Sequence, residues 1–397
     1  MNRPLDQQAS RGSESQPGDA ARCLTAALPG WGSAKAAKKT RYLVGVLRGE
    51  GVGPEVTSAA VDVLKSVGRH WGLDMEFRYG GAIGCEAGAE GNGLPLDVIR
   101  FCESIFADGG TILCGPGGKR FVYELRTTFE LFCKFTPICP FPELADVGVL
   151  RPEAVDGVDL VVVRENTGGV YFGKWNAETS NAKITSATHS FQYDQDEVTR
   201  ILGVAVGLSR QRSRRITLVV KPGGVPTISR LWTEVFEGLT SKEDLSARVL
   251  EVDHACYEVI ASAGKFDVLV APNMIGDIIS DGAALLLGSR GLSFSGNFGA
   301  PGIAVYQTGH GAARDIAGRD IANPIGQILS AAMLLAESFQ LPDAAASVRL
   351  AIARTISSGF RTADIATANS TVLGTRAMGQ EIAAAVEYLL PEQAVAS

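Results

Sequence analysis

FDVLVAPNMIGDIISD, residues 266–281, is the stretch of sequence that decides the fold. Its residues 268–271 are a short, wholly apolar strand candidate, of the kind that lies buried in a parallel sheet. The residues after Pro272 open a helix. A buried strand that runs directly into a helix is the repeating unit of an α/β protein.

The same stretch carries two carboxylates. Asp277 and Asp281 are four residues apart, so a helix places both side chains on one face, about one turn from each other. One interpretation is an exposed helix start, where Asp favours the positive end of the helix dipole. The other is a site for Mg²⁺ or Mn²⁺, which prefer carboxylate oxygens. The isoleucines at 275, 278 and 279 argue against a simple solvated face, but the spacing alone leaves both interpretations open.

Short apolar strands alternate with helices along the rest of the chain. Further strand candidates are residues 42–47, 104–106, 111–114, 160–163 and 216–220, and helical spacing occurs in residues 55–67, 197–210, 229–239, 277–287, 324–339 and 377–390. This alternation predicts an α/β protein with a largely parallel sheet. The 397 residues exceed what one hydrophobic core usually serves, so we expect two domains.

The composition argues against several classes of protein. The chain has 37 Lys and Arg against 43 Asp and Glu, and it lacks a basic run, which argues against nucleic acid as a partner. Every apolar stretch is interrupted before the length of about 18 residues that a membrane-spanning helix needs. The seven cysteines are an odd number without a Cys-x-x-Cys pair, which favours reduced thiols over a disulfide framework or a zinc site. We therefore expect a cytoplasmic protein without a membrane partner.

Residues 1–40 differ in composition from the rest of the chain. They are rich in Ser, Gln, Ala, Gly and Pro, and they show no sustained hydrophobic period. They lack the apolar core of a secretory signal, and their acidic residues count against an organelle transit peptide. Such a segment buries too little apolar surface to offset its ordering entropy, so we expect a disordered tail or a start codon assigned too far upstream.

Two further strand ends carry residues suited to chemistry, and strand ends are where open α/β sheets bind ligands. The strand at 160–163 leads to Arg164, whose guanidinium suits a carboxylate, and to Tyr171, a candidate proton donor. The strand at 216–220 leads to Lys221, placed where desolvation would tune it for proton transfer. Considered alone, Arg164 and Tyr171 fit a plain turn equally well, and most lysines face solvent.

A glycine-rich turn at residues 49–55, GEGVGPE, follows a strand and precedes a helix. The Rossmann dinucleotide fingerprint is G-x-G-x-x-G, whereas this turn has G-x-G-x-G. No acidic residue about twenty positions further on clearly marks a ribose-binding strand end. The turn is therefore weak evidence for a Rossmann site.

Taken together, four motifs resemble the isocitrate and 3-isopropylmalate dehydrogenase family of β-decarboxylating dehydrogenases. In the family's order they are GEGVGPE at 49–55, RENTGGVY at 164–171, NMIGDIISD at 273–281 and HGAARDIAGRDIANP at 310–324. The resemblance implies a two-domain, non-Rossmann fold with a mixed, largely parallel sheet flanked by helices. Residues 41–131 with 288–397 would form the cofactor-side domain, and residues 132–287 the dimerisation and metal/substrate domain.

The resemblance also implies an enzymatic activity. A 2-hydroxy acid is oxidised by NAD(P) and then loses its β-carboxylate as CO₂, while Mg²⁺ or Mn²⁺ chelates the substrate hydroxyl and the neighbouring carboxylate. The matching metal ligands are Asp253, Asp277 and Asp281. Lys221 matches the lysine that helps to deprotonate the hydroxyl, and Tyr171 matches the tyrosine that protonates the enol.

Further expectations concern the assembly and the cofactor. Arg126 and Arg164 match arginines that hold the malate carboxylates. Family members are homodimers in which the lysine and the first Asp come from the partner subunit, so Lys221 and Asp253 would act across an interface. The cofactor would lie against the loop that contains His310, Gly311, Asp315, Ile316 and Asn323. Asp315 followed by Ile316 matches the members that use NAD, because a carboxylate bonds the ribose hydroxyls and repels the 2′-phosphate of NADP.

Several positions depart from the family pattern. Thr136 replaces the usual second arginine, and Lys134, on the same face of a strand, is a partial substitute without the planar fork of an arginine. Residues 222–224 are Pro-Gly-Gly where the family has Ala-Asn-Val, Gln307 replaces a Glu, and Arg314 replaces a Pro. These changes surround the expected substrate and nicotinamide positions.

The segment before Arg126 normally contacts the variable side group of the substrate. Here it contains Lys119 and Arg120, which suit an anionic side group such as that of isocitrate, homoisocitrate or a phosphonate analogue, although both cations fit a solvent-facing position equally well. We thus predict an NAD-dependent oxidative decarboxylase of a 3-substituted malate. The alternatives are a 3-isopropylmalate- or tartrate-type dehydrogenase, or a non-catalytic regulatory subunit on the same fold.

Overall fold

The computed structural model describes residues 23–31, 40–88 and 93–389. The strands in these residues are β1 (Tyr42–Leu47), β2 (Met75–Tyr79), β3 (Thr111–Cys114), β4 (Cys133–Ile138), β5 (Leu160–Glu165), β6 (Lys174–Ser180), β7 (Lys183–Ser190), β8 (Arg215–Val220), β9 (Ser246–Glu251), β10 (Val268–Ala271), β11 (Phe294–Phe298), β12 (Ala304–Thr308), β13 (Phe360–Arg361) and β14 (Thr371–Val372). The helices are α1 (Gly53–Trp71), α2 (Leu96–Ala107), α3 (Phe121–Thr128), α4 (Pro152–Val155), α5 (Gln195–Gln211), α6 (Pro226–Thr240), α7 (Val252–Ala261), α8 (Asn273–Ala283), α9 (Ile325–Glu337), α10 (Pro342–Ser357) and α11 (Thr375–Glu387).

Ten strands form one central sheet in the order β2-β1-β3-β12-β11-β4-β5-β10-β8-β9. Six of the nine neighbouring pairs are parallel, and the three antiparallel pairs lie together around β11 and β4. The predicted mixed, largely parallel sheet is therefore confirmed. Helices cover the faces of the sheet, and inner strands such as β1, β5 and β10 are wholly buried.

One predicted strand is wrong. Residues 104–106 are the last turn of α2, not a strand. The buried residues of this helix are Val98, Cys102 and Ile105, which follow helical spacing. Three apolar or small residues are too few to distinguish a strand from the end of an amphipathic helix, and the longer helical pattern decided the outcome.

The sheet topology brings the candidate site residues to one edge. β5, β10 and β8 are adjacent and parallel, so their carboxyl ends meet at the same side of the sheet. Arg164 lies at the end of β5, α8 starts two residues after β10, and Lys221 follows β8 directly. These three motifs, each more than 50 positions from the next along the chain, therefore open onto one face.

A short segment before the central sheet packs onto the body of the protein. Leu24–Ala27 forms a 3₁₀ helix in which Leu24 and Thr25 are buried, and Glu337 at the end of α9 accepts their backbone N–H groups at 3.0 and 2.8 Å. This segment lies within residues 1–40, for which the composition predicts disorder. A few apolar side chains and one buried carboxylate hold it, a local effect that the average composition conceals. Residues 1–22 and 32–39 of the predicted tail lie outside the described residues.

A two-stranded hairpin projects from the body of the protein. β6 and β7 pair antiparallel, and every residue of both strands is exposed, including the large side chains of Trp175 and Ile184. An isolated hairpin is only marginally stable in water.

In the described part of the chain, no helix combines the length and the apolar character that crossing a membrane requires.

Candidate active site

Arg164, at the end of β5, lies at the centre of the site. Only 1% of this residue is exposed. Its Nε and Nη2 donate to Asn273 Oδ1 at 2.9 and 2.7 Å, and its Nη1 pairs with Asp277 on the same helix. Gly276 permits the close approach, because a Cβ there would lie 3.0 Å from the Arg164 side chain. The first turn of α8 is thereby fixed to the end of β5.

Tyr171 joins this network from the turn after β5. Its hydroxyl donates to Asp277 Oδ2 at 2.9 Å. The turn forms because the Glu165 carboxylate accepts the backbone N–H of Gly168 at 2.9 Å, and because Gly169 adopts a φ of 72°, which costs a glycine little. Burial and the negative charge of Asp277 raise the pKa of Tyr171, so the side chain is a neutral phenol with a proton to give.

The two carboxylates of α8 offer oxygen ligands for a divalent ion. Asp277 and Asp281 lie four residues apart on the helix, which places both on one face. Burial acts to raise the pKa of Asp277, but the charges of Arg164 and Lys134 and the hydrogen bond from Tyr171 hold it below its usual value. Asp281 pairs with Arg290 at 3.1 Å. Carboxylate oxygens on one face of a helix are suitable ligands for Mg²⁺ or Mn²⁺.

Lys221 and Asp253 lie together, but apart from this pair. Lys221 Nζ is 2.5 Å from Asp253 Oδ2 and 3.4 Å from Glu251 Oε2, and the bond to Asp253 raises the pKa of Lys221. The Asp253 side chain is 72% exposed. Across residues 23–31, 40–88 and 93–389, no three His, Cys, Asp or Glu side chains are grouped to hold a metal. One chain therefore does not bring the three predicted metal ligands together.

Two cations beside Arg164 form no ion pair within the described structure, although the negative charge of Asp277 acts on both. Only 6% of Arg126 is exposed, and among the described residues its guanidinium makes no hydrogen bond or ion pair; its charge lies 5.7 Å from the centre of the Tyr123 ring. Burial, and then the charge of Arg164, lower the pKa of Arg126 to about 9. Lys134 lies opposite Arg164 in the register of β4 and β5. Burial, and then the positive charges of Arg164 and Arg126, lower the pKa of Lys134 to about 7.

The position of the missing family arginine is buried and polar. Thr136 is 3% exposed, and its hydroxyl has no hydrogen-bond partner within the described structure. Thr136 and Lys134 share one face of β4, as predicted from their spacing. Lys134 therefore supplies a cation on the side of the strand where the arginine is lost.

The predicted side-group cations behave differently from each other. Lys119 Nζ donates to the carbonyl of Gly88 at 3.0 Å. The guanidinium of Arg120 lies 4.9 Å from the ring centres of both Tyr123 and Trp175, and its Nη2 is 3.5 Å from the Tyr171 carbonyl. Arg120 thus lies beside Tyr171, whereas Lys119 is hydrogen-bonded to the loop that contains Gly88.

The predicted cofactor loop packs against the glycine-rich turn. The carbonyl of Ala312 accepts the N–H of Val52 at 2.9 Å, and a Cβ at Gly51 would lie 2.0 Å from this oxygen. Arg314 donates to the buried carboxylate of Glu50 at 2.6 Å. Gly51 therefore permits the close approach of the loop, which gives this glycine a physical role without a Rossmann fingerprint.

The residues of this loop differ in exposure. Asp315 is exposed and makes no hydrogen bond or ion pair among the described residues, and Ile316 packs against the small cluster of Val52, Val56 and Ala322. Gly311 is exposed beside His310, whose Nε2 is buried without a partner and whose pKa burial lowers. Asn323 instead accepts the N–H of Ile325, the first residue of α9, at 2.9 Å.

Two residues of the site were missed in the sequence. Asn273 accepts hydrogen bonds from Arg164. Its position as the first residue of the motif that contains both aspartates could have identified it from the sequence. Tyr123 has its ring 5.5 Å from that of Tyr171. It precedes Arg126 by three residues on α3, so helical spacing places both on one face, which is the signal that identifies it.

Comparisons with known proteins show which family the chain resembles in sequence and fold. A sequence profile described as isocitrate/isopropylmalate dehydrogenase matches residues 43–382. The chain is 37% identical over 358 residues to the 3-isopropylmalate dehydrogenase of Geobacillus kaustophilus (strain HTA426), covering 87% of this chain and 95% of that one. It is 35% identical over 360 residues to the 3-isopropylmalate dehydrogenase of Synechococcus elongatus, covering 87% of this chain and 98% of that one. The crystal structure of isocitrate dehydrogenase from Methylococcus capsulatus matches with a TM-score of 0.77 at 29% identity, covering 87% of this chain and 99% of that one.

Proposed function

Because this chain belongs to the isocitrate/isopropylmalate dehydrogenase family of β-decarboxylating dehydrogenases, we propose that it oxidises and decarboxylates a 3-substituted malate with NAD and Mg²⁺ or Mn²⁺. The single observation that carries the proposal is a group of three cations beside two carboxylates. Arg164 is paired with Asp277, whereas the buried Arg126 and the half-buried Lys134 form no ion pair within the described structure. An anionic partner stabilises a cation that is removed from water, and the carboxylates of a malate would supply such a partner.

The reaction removes a hydride and a carboxylate from the substrate. The hydride passes from C2 to NAD, the hydroxyl proton leaves to a base, and the C3–carboxylate bond then breaks, releasing CO₂ and leaving an enolate. The divalent ion would be held by Asp277 and Asp281, and when bound it polarises the C2 oxygen. Tyr171, a neutral phenol beside Asp277, would return a proton to C3.

A second copy of the chain would complete each site. Lys221 and Asp253 are paired with each other and do not join Asp277 and Asp281 within one chain. This separation supports a homodimer in which Lys221 and Asp253 of one chain act in the site of the other, with Lys221 as the base for the hydroxyl proton. The exposed hairpin of β6 and β7, with Trp175 and Ile184 on its surface, offers apolar area to such an interface.

The choice of NAD rests on Asp315. This carboxylate is exposed and unpaired in the described structure, so it is free to accept the ribose hydroxyls of an adenosine. It would repel the 2′-phosphate of NADP. We also propose a cytoplasmic location, which is consistent with seven cysteines that are all free thiols.

The side group of the substrate is proposed to be anionic, with Arg120 as its contact. Arg120 reaches the Tyr171 carbonyl, whereas Lys119 is bound to Gly88. A 3-isopropylmalate-type activity is the second candidate. It is favoured by the names of the relatives and by Tyr123 and Phe172, whose rings lie 6.0 Å apart beside Tyr171 and offer apolar contact.

The test is NADH formation with Mn²⁺ and a panel of substrates. Isocitrate, homoisocitrate, 3-isopropylmalate, tartrate, malate and a phosphonate analogue should be compared with wild-type protein and with Lys221→Ala, using NAD and NADP in parallel. Turnover of a compound with an anionic side group (isocitrate, homoisocitrate or the phosphonate analogue) supports the proposal if the Lys221→Ala variant has lost it. A clear preference for 3-isopropylmalate selects the second candidate. The lack of turnover on the whole panel favours a non-catalytic subunit.

A further inference from the structure

A cavity of about 400 Å³ lies between α9, α10, the strands β4 and β5, and the N-terminal 3₁₀ helix. Its wall is mainly apolar, with Val161, Phe294, Leu329, Met333 and Leu350 among the lining residues. Ligand pockets in proteins have volumes of about 300–1,000 Å³ and mostly apolar walls with a few polar groups. The cavity therefore has the size and character of a small-molecule site.

This cavity is separate from the candidate active site. Its lining residues Pro137 and Val161 pair across β4 and β5, whereas Lys134 and Arg164 pair further along the same two strands. Three residues of strand separate the two pairs, which corresponds to roughly 10 Å. None of the proposed metal ligands, catalytic residues or cofactor-loop residues lines the cavity.

Most of the charged groups in the wall already have partners within the protein. Arg212 pairs with Asp159 at 2.9 Å. Glu337 accepts the backbone N–H groups of Leu24 and Thr25. These groups therefore have less need of a ligand to pair with.

Two charged groups in the wall lack such partners. Glu143 Oε2 is buried and accepts no hydrogen bond within the described structure. Arg349 forms no ion pair there; its Nη2 lies 3.4 Å from Cys139 Sγ, a weak acceptor, and its charge lies 4.8 Å from the centre of the Phe141 ring. A buried carboxylate oxygen without a donor is unfavourable, so a ligand that supplies the donor gains free energy. The wall thus contains one carboxylate and one guanidinium without an ion-pair partner in the described structure, beside an apolar space.

We propose that this cavity binds an apolar α-amino acid. Its ammonium group meets Glu143, its carboxylate meets Arg349, and its side chain fills the apolar space. A neutral apolar compound would leave Glu143 Oε2 without a donor, and a dicarboxylate would place a charge against Glu143. Cys23 and Leu24 form part of the wall, so the ligand also stabilises the N-terminal 3₁₀ helix.

The test is binding to the full-length protein, measured by isothermal titration calorimetry with L-leucine and L-phenylalanine. The probes that isolate each charge are 4-methylpentanoate, which lacks the amino group, and 3-methylbutylamine, which lacks the carboxylate. We expect saturable binding of at least one amino acid, and at least tenfold weaker binding of both analogues. The melting temperature should rise with the concentration of the amino acid that binds.

Two variants locate the binding. Glu143→Gln, which keeps the shape and removes the charge, should weaken binding at least tenfold, and Ala346→Phe should fill the cavity and abolish it. The control is Glu153→Gln, an exposed residue outside the cavity, which should bind as wild type does. The proposal is overturned if neither amino acid binds, if an analogue binds as tightly, or if both cavity variants bind unchanged. No step of this test measures turnover, so its outcome is independent of the proposed function.

Discussion

The hydroxyl of Tyr171 donates a hydrogen bond of 2.9 Å to Asp277 Oδ2. The proposed proton donor, Tyr171, is therefore hydrogen-bonded to a proposed metal ligand, Asp277. The same carboxylate pairs with Arg164, so donor, metal ligand and substrate-binding cation form one connected network. Because a bound divalent ion would compete with the phenol and the guanidinium for these oxygens, metal binding and proton delivery are expected to be coupled.

Tyr171→Phe should reduce kcat by about 10²- to 10⁴-fold, the usual contribution of a general acid. The ring and its contact with Tyr123 are retained, so KM should change little. The measurement is steady-state NADH formation with the best substrate of the panel. Tyr123→Phe is the matched control, since its hydroxyl has no hydrogen-bond partner in the described structure. A Tyr171→Phe enzyme with wild-type kcat would remove Tyr171 from the mechanism.

Mixing two inactive variants should restore activity if sites are shared across a dimer. Lys221→Ala and Tyr171→Phe should each be inactive alone, while a heterodimer of the two has one site with both residues intact. After unfolding and refolding of an equal mixture, we expect about a quarter of the wild-type activity, for a dimer with two-fold symmetry. A refolded wild-type sample sets the scale. If the mixture is no more active than the two variants alone, Lys221 acts within its own chain or is dispensable.

Lys134→Met should stabilise the ligand-free protein in a pH-dependent manner. Burial lowers the pKa of Lys134 from 10.5 to about 7, so below pH 7 the folded protein carries a charge that the unfolded chain accommodates better. The cost in folding free energy of the Lys134 charge is therefore largest below pH 7. It disappears as pH rises toward 10.5, above which Lys134 is neutral in both the folded and the unfolded protein. The gain in melting temperature should follow the same course.

The control for this prediction is Lys183→Met in the exposed hairpin, for which no gain is expected. Both variants should be melted in the presence of EDTA, so that a bound metal does not contribute. With substrate present, Lys134→Met should instead raise KM, because an unpaired cation is lost from the site. An unchanged KM would show that Lys134 does not contact the substrate.

Asp315→Asn should shift the cofactor preference toward NADP. Removing the charge relieves the repulsion of the 2′-phosphate and weakens the bonds to the ribose hydroxyls. We expect kcat/KM for NAD to fall about tenfold, which corresponds to about 1.4 kcal/mol. The exposed Asp320→Asn, in the same loop, is unsuitable as a control because its backbone and side chain bind Glu55 and Arg376. Asp343→Asn at the start of α10 serves instead. A wild-type enzyme that prefers NADP would contradict the role given to Asp315.

Thr25→Ala should destabilise the protein, because the Thr25 hydroxyl donates to the buried carboxylate of Glu337 at 2.8 Å. Loss of a hydrogen bond to a charged group costs about 1.5–3 kcal/mol. The free energy of unfolding from urea titration measures this loss. Thr185→Ala in the exposed hairpin, whose hydroxyl donates to the Glu178 carbonyl at 3.2 Å, is the control and should change little. Equal stability of wild type and Thr25→Ala would mean that the N-terminal 3₁₀ helix adds nothing to the fold.

The sequence by itself determined the fold class, the family and the strand ends that carry the site. These features depend on contiguous patterns: apolar runs, helical spacing and motifs such as NMIGDIISD, in which the interacting residues are close along the chain. The same locality explains the error at residues 104–106, where three residues do not contain enough pattern to separate a strand from the last turn of a helix.

Only the tertiary structure decided which charges are paired. Lys119 and Arg120 are neighbours in sequence, yet one binds the Gly88 carbonyl and the other lies beside Tyr171. Arg126 and Lys134 form no ion pair among the described residues, whereas Glu337 accepts a hydrogen bond from Thr25, more than 300 residues away along the chain. Whether a charge is buried, paired or free depends on chain segments brought together through space, and that pairing sets both its pKa and its capacity to bind a ligand.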